Sequence, residues 1–160
     1  MKSIIYCSLM LAFLSFSLPS FAGGLLQVRQ TIFGMDCAPC AYGVEKGLKA
    51  LHGVKTVKVS LNEGYTAVTF SSDSRTSLLE VRNVIRRNGF TPKEAQIELK
   101  GEIQLSPQPS LVANGTRYAL LFDAVAMPHA SAAGQLATVT GTVMQDAGDV
   151  QVTGIVLLDQ

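Results

Sequence analysis

Tryptophan is absent from this chain of 160 residues, histidine occurs twice, cysteine three times, and charged side chains make up only 16%. Each scarcity excludes something. Around the two histidines, His52 and His129, no nucleophile–base pairing can be drawn, so no hydrolytic site is expected and the chain is read as a non-enzyme. Low charge beside 48% hydrophobic residues is not the composition of a disordered chain. A formal net charge of +1 gives no reason to expect a nucleic-acid partner. The length suits one or two small domains rather than a large enzyme.

The charge is unevenly spread. Residues 23–100 hold eleven Lys/Arg against seven Asp/Glu, a formal +4, whereas residues 101–160 hold only Arg117 against five acids, a formal −4. The apparent neutrality is a cancellation between unlike halves.

The N-terminus has a charged start at Lys2, an apolar stretch from Ile4 to Leu18, a break at Pro19 and small residues at Ser20 and Ala22. This is the pattern of a cleavable signal peptide, residues 1–22, and the apolar stretch is shorter than the about 20 residues a membrane span requires. The expectation is a periplasmic chain that is not membrane-embedded after cleavage. Removal of Cys7 leaves Cys37 and Cys40 and no disulfide framework.

Hydrophobic periodicity orders the chain from Leu25 to Leu105. Leu25–Phe33 reads as a strand and Gly34–Cys40 as a loop. A helix comes next, with Pro39 in its first turn and Val44, Leu48 and Leu51 as its stripe. Val54–Leu61 and Tyr65–Phe70 form a hairpin about Asn62-Glu63-Gly64. Ser74 is expected to cap a second helix with the stripe Leu78, Val81 and Ile85, and Ile97–Leu105 is a last strand. The order β-α-β-β-α-β is the ferredoxin-like arrangement, so the fold class is α+β.

Beyond Pro107 and Pro109 the helical stripes stop. Arg117–Val125, Leu136–Met144 and Val150–Leu158 read as strands, the last two echoing each other as Val-Thr-Gly-Thr-Val and Val-Thr-Gly-Ile-Val. The expected division is a first domain over 23–105 and a small all-β unit over 106–160. For the latter, either a barrel of the oligonucleotide/oligosaccharide-binding type or a sheet extending the first domain fits.

Gly34-Met35-Asp36-Cys37-Ala38-Pro39-Cys40 carries the chemistry. Two thiols three residues apart at the start of a helix share one small site, and the helix N-terminus favours the thiolate. Thiolates select soft or borderline metals: Cu(I), Hg(II), Zn(II), Cd(II) or Pb(II). Two ligands are too few for a closed structural zinc site and leave a bound ion open to exchange. Met35 reads as a core plug. Three roles stay open for Asp36: a solvated charge, a helix cap, or a third, oxygen ligand that favours Zn(II), Cd(II) or Pb(II) over Cu(I).

This loop, placed between the first strand and first helix of a β-α-β-β-α-β chain, resembles that of the heavy-metal-associated domain, over about residues 25–100. That family includes copper chaperones, the periplasmic mercury-binding protein and N-terminal domains of metal-exporting ATPases. The resemblance implies that Cys37 and Cys40 hold one metal ion. It also implies that Phe90, after Asn88-Gly89, packs beside them, and that the partner is a membrane metal transporter or another metal carrier. Copper chaperones of the family usually carry Thr or His where Asp36 stands, and residues after 105 have no counterpart in its simple members.

Two other functions compete with a carrier: a thiol–disulfide protein, and a metal-regulated interaction module acting through the C-terminal unit. Met127, His129 and Met144 offer thioether and imidazole donors for Cu(I), or are a surface loop and core. His52 reads as a helix-end residue. Arg82, Arg86 and Arg87 form either a docking face for an acidic partner, the acidic C-terminal half included, or a solvated helix face.

Overall fold

The computed structural model describes residues 23–123, 125, 127–145 and 148–158; the expected signal peptide, residues 1–22, lies outside them. Strand β1 (Gly24–Phe33) leads through the cysteine loop into helix α1 (Ala38–Lys49). Strands β2 (Val54–Ser60) and β3 (Tyr65–Phe70) form the hairpin, followed by helix α2 (Leu78–Arg87) and a long strand β4 (Thr91–Gln104). The second half supplies β5 (Ser110–Ala113), β6 (Thr116–Leu121), a 3-10 turn at Ala130–Ala132, β7 (Leu136–Val143) and β8 (Val150–Leu157).

The expected β-α-β-β-α-β order is present, and both helices lie where the stripes placed them, except that Leu51, expected in the first stripe, lies past the end of α1 and is half-buried. Val44 and Leu48 of α1, and Leu78, Val81 and Ile85 of α2, are buried. The cap of α2 differs from expectation. Ser77, not Ser74, is the N-cap: its Oγ accepts from the Glu80 amide, while the Glu80 carboxylate accepts from the Ser77 amide. Glu80 stands three residues after Ser77, and this reciprocal pair decides the helix start. Ser74 is buried instead, its hydroxyl donating to the carbonyl of His52 at 2.8 Å. His52 lies beyond α1, and its Nδ1 accepts from the Arg75 amide.

The second half adds to the first sheet. All eight strands belong to one sheet, and β4 is its pivot. Along 95–100, β4 pairs with β1 on one edge and with β7 on the other; beyond Lys100 the β1 edge is taken over by β5, from Glu102 to Gln104. Pairings β5–β6, β6–β8 and β8–β7 then lead back to β4, so five strands form a closed ring. Gly101 sits at the change of partner, and a Cβ there would collide with the carbonyl oxygen of Val112. The expected boundary at 105/106 therefore falls beside a strand that both parts use.

Alternation along β4 turns Ala95, Ile97, Leu99 and Ile103 inward. That one face meets the helices of the first half and lines the ring of the second, so a single apolar core runs through both. The echo sequences pair as β7 and β8, with a bulge between Thr140 and Gly141. Strand β5 has no counterpart in the sequence reading. Its turn, Asn114-Gly115, has φ of 48° and 74°, as a tight type I′ hairpin requires.

Arg82 departs most from expectation. It is 5% exposed and belongs to no solvated face. Its Nε donates to Oε1 of Gln30, and its Nη2 donates to the carbonyls of Lys93, Val143 and Met144 at 3.3, 3.1 and 2.9 Å. Gln30, itself fully buried, donates through Nε2 to the carbonyls of Thr31, Lys93 and Glu94. These carbonyls lie where the β1–β4 register slips between Gln30 and Ile32, which frees backbone acceptors from the ladder. Of the two roles open for this helix's arginines, Arg82 takes the docking one, on the carbonyls of Val143 and Met144. Arg86 and Arg87 are exposed.

Loss of the Arg82 side chain strands several buried carbonyls at once. Arg82→Leu is expected to lower unfolding free energy by about 3 kcal/mol in urea denaturation, against a change of no more than about 0.5 kcal/mol for Arg87→Leu.

Candidate metal centre

The cysteine loop hangs between two fixed points. Phe33 ends β1, and Gly34 turns the chain with φ +89°, a conformation that L side chains rarely adopt. Met35 then drops into the core at 5% exposure, as expected for a plug. This anchor fixes Asp36 and Cys37 at the surface above it.

Cys37 is the N-cap of α1. Its backbone is extended, and its Sγ accepts a hydrogen bond from the Cys40 amide at 3.2 Å. Pro39 lies in the first turn, where its missing N–H costs nothing. Cys40, one turn later, is half-buried against the core, and the two Cα atoms are 5.2 Å apart. The sulfurs are bonded to each other as a disulfide. Both sulfurs therefore converge on one point at a helix N-terminus. Reduction frees two thiols at that point.

The remaining candidates are more scattered. Asp36 is exposed and is not the cap of α1, a position Cys37 fills. Among the described residues, no three His, Cys, Asp or Glu side chains converge as a metal site. Phe90, half-buried against the core, comes within 4.0 Å of where a Cβ on Gly34 would stand, so it flanks the loop. It arrives there because Gly89, with φ +85°, turns the chain out of α2. Met127, His129 and Met144 are all exposed, and His129 precedes the 3-10 turn.

Sequence reasoning passed over two aromatics beside the loop. Phe33 is 68% exposed with the Lys93 ammonium 5.5 Å from its ring centre, and Tyr42 is 67% exposed on α1. Tyr42 could have been found: it lies off the Val44–Leu48 stripe, so helical geometry turns it to solvent two residues after Cys40.

Residues 30–91 match the heavy-metal-associated domain. The match ends at the first residue of β4. Helicobacter pylori copper-transporting ATPase is 34% identical over 80 residues, which is 50% of this chain and 10% of the ATPase. This chain thus spans about a tenth of the length of the curated relatives it matches. Among solved structures, a putative copper-ion-binding protein from Bacillus anthracis is 32% identical, covering 44% of this chain and 96% of its own, with a TM-score of 0.38. Oxidized MerP from Ralstonia metallidurans is 25% identical, covering 42% and 93%, with a TM-score of 0.39.

Met35 anchors the domain's cysteine loop by burial alone. Met35→Ala is expected to cost about 2–3 kcal/mol in chemical denaturation while leaving both cysteines titratable by a thiol reagent after reduction.

Proposed function

We infer that this protein is an exported carrier that holds one soft metal ion between Cys37 and Cys40 and exchanges it with a membrane transporter or another carrier. The observation that carries this reading is the pair of sulfurs meeting at the start of α1, inside a segment that matches the heavy-metal-associated domain. Cu(I) is the favoured cargo. A linear pair of thiolates satisfies Cu(I) or Hg(II), and the relative at 34% identity is a copper-transporting ATPase. Zn(II), Cd(II) and Pb(II) need further donors, for which Asp36 is the neighbour in sequence.

Transfer proceeds by ligand exchange. A partner thiolate adds to the two-coordinate ion, giving a three-sulfur intermediate, and the cysteines leave one at a time. The exposed position of the loop allows that approach, and Phe33 and Tyr42 supply apolar surface beside it. No covalent chemistry on a substrate enters this reading. Export to the periplasm rests on the pattern of residues 1–22. The closed ring of β4, β5, β6, β8 and β7, with β6 and β8 parallel, supports a barrel of the oligonucleotide/oligosaccharide-binding type for the second half. Its formal −4 charge disfavours nucleic acid as what it binds.

The Cys37–Cys40 disulfide favours a second reading, a thiol–disulfide protein. The two are separable. A carrier, once reduced, binds Cu(I) stoichiometrically against a chromogenic chelator, and Cys37→Ser and Cys40→Ser each abolish that binding. Equal binding by the double variant sinks the carrier. Asp36→Ala is expected to weaken Zn(II) binding more than Cu(I) binding, and an equal effect on both removes Asp36 from the site. N-terminal sequencing of the secreted form tests export, with Gly23 expected as its first residue.

A further inference from the structure

Away from the cysteines, a cleft of about 390 Å³ opens between α2 and the ring of the second half. Its size is that of a small-molecule site. One wall is apolar: Leu78 and Leu79 from α2, Tyr118 from β6 and Val143 from β7. Leu79 is 60% exposed although it flanks the helix's buried stripe. Arginines supply the polar part. Arg86 on α2 and Arg117 on β6 both line the cleft and are exposed. Both donate to neutral groups: Arg86 Nη1 to Asn83 Oδ1 at 3.4 Å, and Arg117 Nη1 to Ser110 Oγ at 2.9 Å. The ion pairs found among the described residues involve neither.

The nearest acid on α2, Glu80, is already engaged, its Oε2 accepting from the amide and hydroxyl of Ser77. That contact also places a carboxylate at the helix N-terminus, where it disfavours a second anion. Tyr118 is buried enough that its phenol is held above the usual tyrosine range, with Glu80 adding to the effect, and it stays a neutral wall at pH 7.

We propose that this cleft binds a small amphiphilic carboxylate, its head between Arg86 and Arg117 and its apolar body against Leu79, Tyr118 and Val143. The guanidinium fork matches a carboxylate, and a space walled by leucine, tyrosine and valine rewards an alkyl or aromatic body over a bare ion. The site is independent of the thiolate pair and would serve the protein whatever the cysteines carry. Because the cleft bridges α2 and the second half, the ligand would brace the same joint that Arg82 closes.

The test is calorimetric titration of the full-length protein with octanoate, octylamine and inorganic phosphate. Saturable one-to-one binding of octanoate is expected, with octylamine not binding and phosphate weaker by about tenfold or more. The Arg86→Gln/Arg117→Gln double variant is expected to bind octanoate about tenfold or more weakly, and Arg87→Gln to bind it as the wild type does. Both altered arginines are exposed, and an unchanged circular dichroism spectrum and Cu(I) stoichiometry confirm that the fold survives. No saturable octanoate binding, equal binding of octylamine or phosphate, or undiminished binding by the double variant each overturns the proposal.

Discussion

A β-strand has two edges, and the structure depends on β4 using both. Most of its length is held by β1 on one side and β7 on the other, and its last residues pass to β5. Such a strand leaves backbone groups without ladder partners wherever register slips. Here that cost falls at Lys93 and Glu94, and two long polar side chains meet it. Gln30 and Arg82 are buried because their hydrogen bonds replace those the ladder omits, the condition on which buried polar groups are stable. With the bulge satisfied, one inward face of β4 serves both halves of the core.

The cysteine loop profits from this arrangement without being part of it. β1, one of its anchors, is clamped between β3 and β4, and Met35 is fixed in the core below. The loop itself is held by Met35, by the cap of α1 and by the Cys37–Cys40 disulfide. A rigid frame with an exposed tip suits the proposed ligand exchange, since the sulfurs keep their place while a partner reaches them. The opposite charges of the two halves suggested mutual docking on sequence alone; in the structure the backbone pairing of β4 with β7 and the Arg82 hydrogen bonds join them. The ion pairs found among described residues, Arg29–Glu63 and Lys49–Glu45, both lie within the first half.

Local rules carried the sequence reading a long way. The stripes of α1 and α2, the hairpin at Asn62-Glu63-Gly64 and the thiols at a helix start are all short-range patterns, and each is present. Two misses were also local. Glu80 three residues after Ser77 marks the cap of α2, and Asn114-Gly115 between the short strands Ser110–Ala113 and Thr116–Leu121 marks a hairpin. The remaining differences were beyond any local rule. Arg82 has the sequence context of a surface residue, and only the approach of β1 and β7, 52 and 61 residues away, makes its position an interior one. The pairing of β4 with β7 is likewise a long-range choice, which leaves in β4 only an alternation that any half-buried strand would show.

Covering β4 has a further effect. In a lone βαββαβ unit β4 is an outermost strand, with a row of unpaired amides and carbonyls able to recruit other chains. Here β7 occupies that row, and β2 is left at the far margin of the first sheet. The C-terminal half is thus a built-in protective strand as well as a second layer of core. Excising it would uncover that edge of β4, from Ala95 to Glu102. A first half made on its own would need that edge blunted by charge or proline to stay unpaired.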